Sequence, residues 1–167
     1  GTLALESEPQ KGSVFSFTLP LALSTEEAYR ALQQEVEVSD LVMKGSFRIL
    51  VVEDNPSNQI VTEGLLEKIL PESSVVLLED GYSALALLEK EKFDLVLMDI
   101  RMPGIDGIQL YKYLADNSPA LSQSVIFTTG DITSNQVSGF LNGSDRVYLE
   151  KPFTPRELIA AVEMALN

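Results

Sequence analysis

A chain of 167 residues with 45% hydrophobic content is long enough for one ordinary domain with a buried core and an appendage beside it. It has no Cys and no His, which removes disulfides, thiol catalysis, zinc–thiolate sites and the commonest general base together. A formal charge of −13 argues against direct nucleic-acid binding and favours hard cations and basic protein surfaces; no apolar run approaches the ~20 residues that span a bilayer, and nothing has the pattern of a signal peptide.

Residues 1–23 alternate as strands do. Leu3 and Leu5 precede a polar turn, Glu8-Pro9-Gln10-Lys11-Gly12, and Val14-Phe15-Ser16-Phe17-Thr18-Leu19-Pro20 follows it. This is a hairpin pattern. A lone two-stranded hairpin is marginal in water, so the segment reads as a piece of a larger sheet. Residues 24–46 are polar and linker-like. Ser24 and Glu27 have capping-box spacing, and Tyr29, Leu32 and Val36 then share one helical face. Two readings stay open there: a solvated connector with a weak stripe, or a helix that docks on a partner or self-associates.

Residues 47–167 repeat a strand–helix rhythm. Strands are expected at about 48–52, 75–79, 94–98, 124–128 and 147–149, and helices at about 57–70, 82–91, 107–116, 133–142 and 155–166. Five such units specify an α/β fold, a doubly wound five-stranded parallel sheet with right-handed crossovers and five flanking helices. The last helix has the clearest start, with Thr154 as N-cap, Pro155 at its first position and Glu157 closing a capping box.

Two of the apolar runs end abruptly in acid. Val96-Leu97-Met98 ends in Asp99, before the turn-forming Ile100-Arg101-Met102-Pro103-Gly104, and Arg48-Ile49-Leu50-Val51-Val52 ends in Glu53-Asp54. Ligands of open parallel sheets bind beyond the carboxyl ends of the strands, so three carboxylates are expected to converge there. Like charges that close repel by several kcal/mol at an effective dielectric of about 20, and a cation relieves them. The residues alone therefore point to a metal-dependent acidic pocket. The plainer alternatives are a solvated acidic turn for Glu53-Asp54 and a capping or turn role for Asp99.

Glu53-Asp54, Asp99, Thr129-Gly130 and Lys151-Pro152-Phe153 follow the first, third, fourth and fifth expected strands in order, and in this the chain resembles a two-component receiver domain over residues 47–167. The resemblance implies a flavodoxin-like sheet with strand order 2-1-3-4-5. It makes Asp99 the phosphoacceptor, a carboxylate able to attack phosphorus and form an acyl phosphate. It implies Mg²⁺ held by Asp54, Asp99 and the backbone carbonyl of Arg101, with Glu53 acting mainly through a bound water. Many receivers have Asp where this chain has the longer Glu53. Lys151 and Thr129 would each meet a phosphoryl oxygen, with Gly130 leaving the backbone room to approach. Tyr148 takes the position of the family's switch aromatic, against the alternative of an ordinary buried strand tyrosine. The Lys151–Pro152 bond is expected to be cis. Arg101 and Asp131 stand where receivers vary, and either pair across the site mouth or are both solvated.

The N-terminal zone, Gly1 to Glu8 with Lys11 to Pro20, is similar to the last two strands of a histidine-kinase ATP-binding domain, without any of that domain's ATP-binding motifs. Together the zones suggest a fragment of a hybrid histidine kinase: a kinase-domain remnant at 1–23, a linker at 24–46 and a receiver at 47–167. The fragment would catalyse its own phosphorylation, with no ATP site, in the cytoplasm, whether or not its parent is anchored in a membrane. Its partners would be a kinase dimerisation and phosphotransfer domain, in cis or in trans, or a separate His phosphotransfer protein, with no nucleic acid and no membrane contact. Two rivals predict other residues. A receiver fold kept only for protein contacts would be expected to lose a pocket acid or the lysine, and none is lost. A Mg²⁺-dependent phosphatase with an Asp nucleophile would want a second Asp two residues on, where Arg101 stands. A calcium loop is excluded, because Asp99-Ile100-Arg101-Met102-Pro103 lacks alternating oxygen ligands.

Overall fold

The computed structural model describes residues 2–8, 12–18, 42–130 and 134–166. The linker at 24–46, with its candidate helix, lies largely outside them, and Asp131 lies outside them too. The chain divides into two units, Gly1–Glu35 and Val36–Asn167.

In the first unit β1 (Thr2–Glu8) and β2 (Gly12–Thr18) form an antiparallel ribbon. The register sets Leu3 opposite Phe17 and Leu5 opposite Phe15. Because side chains alternate across a strand, these four share one face, and all four are exposed. At the turn end of that face the Ser7 and Ser13 hydroxyls are 2.8 Å apart.

The second unit is built on five parallel strands: β3 (Arg48–Val52), β4 (Ser74–Leu78), β5 (Leu95–Asp99), β6 (Val125–Thr129) and β7 (Val147–Glu150). Their order is β4-β3-β5-β6-β7, the expected doubly wound arrangement. Alternation divides the core into two layers. Leu50, Val52, Val96, Met98, Val125 and Phe127 face α2 (Gly81–Leu88), α3 (Gly107–Asn117) and α5 (Asn135–Ser144). Ile49, Val51, Leu95, Leu97, Ile126 and Leu149 face α1 (Pro56–Ile69) and α6 (Pro155–Leu166). Burial on both faces explains why these strands read as unbroken apolar runs. Phe127 anchors the first layer, edge-on to Tyr111 at 5.4 Å and to Phe140 at 5.1 Å between ring centroids.

Two elements depart from expectation. A short helix, α4 (Pro119–Gln123), intervenes before β6, too brief to show a helical period. α2 ends at Leu88 rather than near 91, where the Lys90 N–H tightens to an i→i−3 bond with the Leu87 carbonyl. Among the described residues no helix is long and apolar enough to cross a membrane.

Candidate functional site

Strand register brings the chemistry to one edge of the sheet. Val52 pairs with Met98, so Glu53 follows β3 at the level of Asp99, the last residue of β5. Asp99 pairs with Thr128, one residue before Thr129, which pairs with Glu150; Lys151 then follows the end of β7. Glu53, Asp99 and Thr129 are buried, and Asp54 is exposed.

The three carboxylates converge as the strand ends imply. One oxygen each from Glu53, Asp54 and Asp99 lies within 4.8 Å of the others. The Lys151 ammonium donates to Glu53 Oε2 at 2.5 Å and to Asp99 Oδ2 at 2.6 Å. These are charge-assisted bonds with only 17% of the lysine side chain exposed, so the solvent screening that weakens surface pairs is reduced here. A simple solvated turn is therefore not the environment of Glu53, although it describes Asp54. Asp99 does also make a turn-type bond, its Oδ1 accepting from the Arg101 N–H at 3.0 Å.

The surrounding backbone is fixed on several sides. The Ile100 N–H donates to the Thr128 carbonyl at 3.0 Å, and the Lys151 N–H to the Thr129 carbonyl at 2.8 Å. The Lys151–Pro152 peptide is cis. Tyr148 projects from β7 at 48% exposure, so it is not an ordinary buried strand tyrosine. A Cβ on Gly130 would meet nothing within 4 Å, so no packing contact among the described residues demands glycine there.

Three residues near the site carry no motif in the sequence. A Cβ on Gly107 would stand 2.4 Å from the Asp99 carbonyl oxygen, so only glycine lets α3 begin this close to the strand end. Buried Gln59 donates through Nε2 to the Glu53 carbonyl at 2.7 Å, and Asn58 donates through Nδ2 to Glu53 Oε1 at 2.7 Å. Gly107 falls at the start of the helix expected over 107–116, and nothing in that pattern marks its close approach to Asp99; for Asn58 and Gln59 nothing short of the folded contact gives a signal.

A doubly wound parallel sheet with acids and a lysine gathered at its carboxyl edge places the chain among the flavodoxin-like α/β proteins. Within that class the chain belongs to the response regulator receiver domain family, whose model matches residues 49–163. It is 36% identical over 118 residues to the sensor protein GacS of Pseudomonas syringae pv. syringae, a match covering 69% of this chain and 13% of that protein. With the sensor histidine kinase AruS of Pseudomonas aeruginosa it shares 32% identity over 164 residues, 97% of this chain and 15% of AruS. Among solved structures, the receiver domain of the P. aeruginosa PAO1 sensor histidine kinase PA1611, which has a magnesium ion coordinated in its active-site cleft, superposes with a TM-score of 0.64. The two are 29% identical, and the match covers 73% of this chain and 98% of that one.

Proposed function

We propose that Asp99 is the phosphoacceptor of this receiver, taking a phosphoryl group from a phosphohistidine that lies outside the chain, which has no His of its own. The observation that carries the reading is the placing of Asp99 at a strand end, bonded to Lys151 at 2.6 Å and clustered with two further acids. The donor is a kinase phosphotransfer domain, in cis or in trans, or a separate His phosphotransfer protein.

Mg²⁺ fits the donor set. Three carboxylates against one ammonium leave the cluster formally two negative charges in excess, and hard oxygen ligands suit a small hard dication. Glu53, Asp54, Asp99 and the backbone carbonyl of Arg101 would hold it, Glu53 mainly through a bound water. Bound there, it would offset charge on the phosphoryl oxygens.

This chain's own residues account for the transfer. An Asp99 carboxylate oxygen attacks phosphorus in line, the P–N bond to the imidazole breaks with its electron pair leaving on nitrogen, and a mixed carboxylic–phosphoric anhydride remains. Lys151, already within hydrogen-bond reach of Asp99, meets one phosphoryl oxygen, and the Thr129 hydroxyl donates to another. Thr129 then draws its loop toward the site and Tyr148 leaves its exposed position, reshaping the surface formed by α5, β7 and α6. Output passes through such contacts or by onward transfer.

The hairpin of β1 and β2 is read as the closing piece of a kinase ATP-binding domain, residues 24–46 as a linker and 47–167 as the receiver, with the whole placed in the cytoplasm. Support comes from the alignment with AruS, which extends over 97% of this chain and so takes in the hairpin. As only small fractions of GacS and AruS are covered, the parent's kinase activity belongs to this proposal too.

Acetyl phosphate with Mg²⁺ should add one labile phosphoryl group, seen by intact mass. Asp99→Asn should abolish the addition, and omitting the metal should suppress it. A stable phosphate mapped to Ser or Thr would overturn the assignment.

A further inference from the structure

Glu53 is held at four points. Its N–H donates to the Leu78 carbonyl at 2.9 Å, and its own carbonyl accepts from Gln59 Nε2 at 2.7 Å. Its carboxylate is gripped from two sides, Oε2 by Lys151 at 2.5 Å and Oε1 by Asn58 at 2.7 Å. The two carboxylate ties differ in kind. Lys151 is shared with Asp99 and brings charge, whereas the Asn58 amide is neutral.

Asn58 reaches Glu53 because of where α1 begins. Asn55 caps the helix and Pro56 opens it, which places Asn58 at its third residue. Side chains on a helix lean toward its N-terminus, so this amide is carried back over the loop that bears Glu53. A carboxylate only accepts, so the amide must present its NH₂ to it. Glu53 also has one more rotatable bond than an aspartate, and a longer acid needs a second anchor to keep one orientation.

We infer that Asn58 is a positioning residue for Glu53: by holding Oε1 against α1 it fixes Oε2 toward Asp99 and Lys151, and so sets the affinity of the acidic cluster for a divalent cation. The inference rests on the reading of this cluster as a Mg²⁺ site. Groups that orient metal-associated side chains typically change metal affinity 10–100-fold when removed. Asn58 lies at the near end of that range, because the backbone ties on Glu53 remain when its amide is lost.

Calorimetric titration of the full chain with MgCl₂ tests this directly. Asn58→Ala should raise the Mg²⁺ dissociation constant roughly tenfold with the melting temperature retained. In a Glu53→Asp background, where the shorter acid no longer reaches the amide, the same change should alter affinity less than about twofold, since the two residues act as one unit. Asn58→Ser, which suits the first turn of a helix but is too short to bond Glu53, should reproduce the Ala result and guards against misfolding. Unchanged affinity in folded Asn58→Ala and Asn58→Ser overturns the inference, and so does an equal loss in both backgrounds. If the wild-type chain itself binds no Mg²⁺, the metal reading fails and takes this inference with it. If the wild type binds and the variants bind equally, only the role of Asn58 is lost.

Discussion

On the ribbon of the first unit, Leu3, Leu5, Phe15 and Phe17 stand on one face at 57–77% exposure. In the five-stranded sheet of the second unit, Ile49, Leu50, Leu95, Val96, Ile126 and Phe127 are all fully buried, and successive residues feed opposite layers. Both regions are made of β-strands with apolar residues at regular positions. What separates them is the number of covered faces. The sheet has helices on both sides and can bury every residue of a strand, whereas the ribbon gathers Leu3, Leu5, Phe15 and Phe17 on one face and leaves Val14 exposed on the other. Burying a large apolar side chain is worth about 1.5–3 kcal/mol, and the ribbon forgoes that at all four positions of the first face and at Val14 on the other. This exposure is what supports the proposal that the ribbon is a piece of a larger sheet, and it leads to the expectation that the receiver chemistry does not depend on it.

The contrast can be broken most sharply at two phenylalanines. Phe127→Ala removes a fully buried ring that packs on Tyr111 and Phe140, and should destabilise the second unit by about 3–5 kcal/mol. Phe17→Ala, at a 72% exposed site on the ribbon, should leave that unit's stability within about 0.5 kcal/mol of wild type. Urea unfolding followed by far-UV circular dichroism measures both. If Phe17→Ala lowers the midpoint of the main transition as Phe127→Ala does, the two units do not fold independently.

A smaller effect is expected at Gly107. The added methyl of Gly107→Ala would collide with backbone at Asp99, which cannot swing aside as a flexible side chain can. A loss of about 1–3 kcal/mol follows, the usual range for overpacking, together with slower phosphorylation because the displaced carbonyl belongs to Asp99, the proposed acceptor. Gly12, on the ribbon, has no atom within 4 Å of an added Cβ, but its φ of +100° is one that an alanine resists. Alanine there should disturb the ribbon alone and leave phosphorylation at the wild-type rate. Equal phosphorylation rates in Gly107→Ala and wild type would mean that the position of α3 is immaterial to the site.

How far the sequence disclosed this arrangement depends on where the information sits. A strand buried on both faces must be apolar throughout, so β3, β5 and β6 announced themselves within about one residue, and the acids closing β3 and β5 stood out against them. The convergence of Glu53, Asp54 and Asp99 then followed from the rule that parallel strands end on one edge. The five residues of α4 span little more than one turn and leave no periodic trace. Asn58 and Gln59 are polar residues in a helix's first turn, where polar residues are commonplace; what distinguishes them is a partner supplied by the loop before the helix. The need for glycine at 107 comes from a helix start pressed against the end of β5, and that distance exists only after folding.

The smallest expected effect concerns the capping box that starts α6 just beyond Lys151. Glu157 Oε2 accepts from the Thr154 N–H at 2.7 Å and from its hydroxyl at 2.8 Å, and the Glu157 N–H donates back to Thr154 Oγ1 at 3.3 Å. The backbone bond from Thr154, then the side-chain bond, hold the Glu157 carboxyl below its ordinary range, against a weaker opposing effect of burial. A carboxyl whose folded-state value is depressed adds stability that is fully present above its unfolded value and is lost as the pH falls through the folded one. Glu157→Gln keeps an oxygen that can accept from Thr154 but removes the charge that strengthens those bonds and favours the helix N-terminus. At neutral pH the variant should therefore melt slightly below wild type, and the two curves should merge as the pH drops below the ordinary carboxylate range. The same substitution at Glu6, on a ribbon strand with no helix terminus to cap, should leave the melting of the second unit unmoved at every pH. A gap at Glu157 that stays constant across the acid range, or widens on acidification, would show that the charge on this carboxyl does not support the helix that follows the pocket.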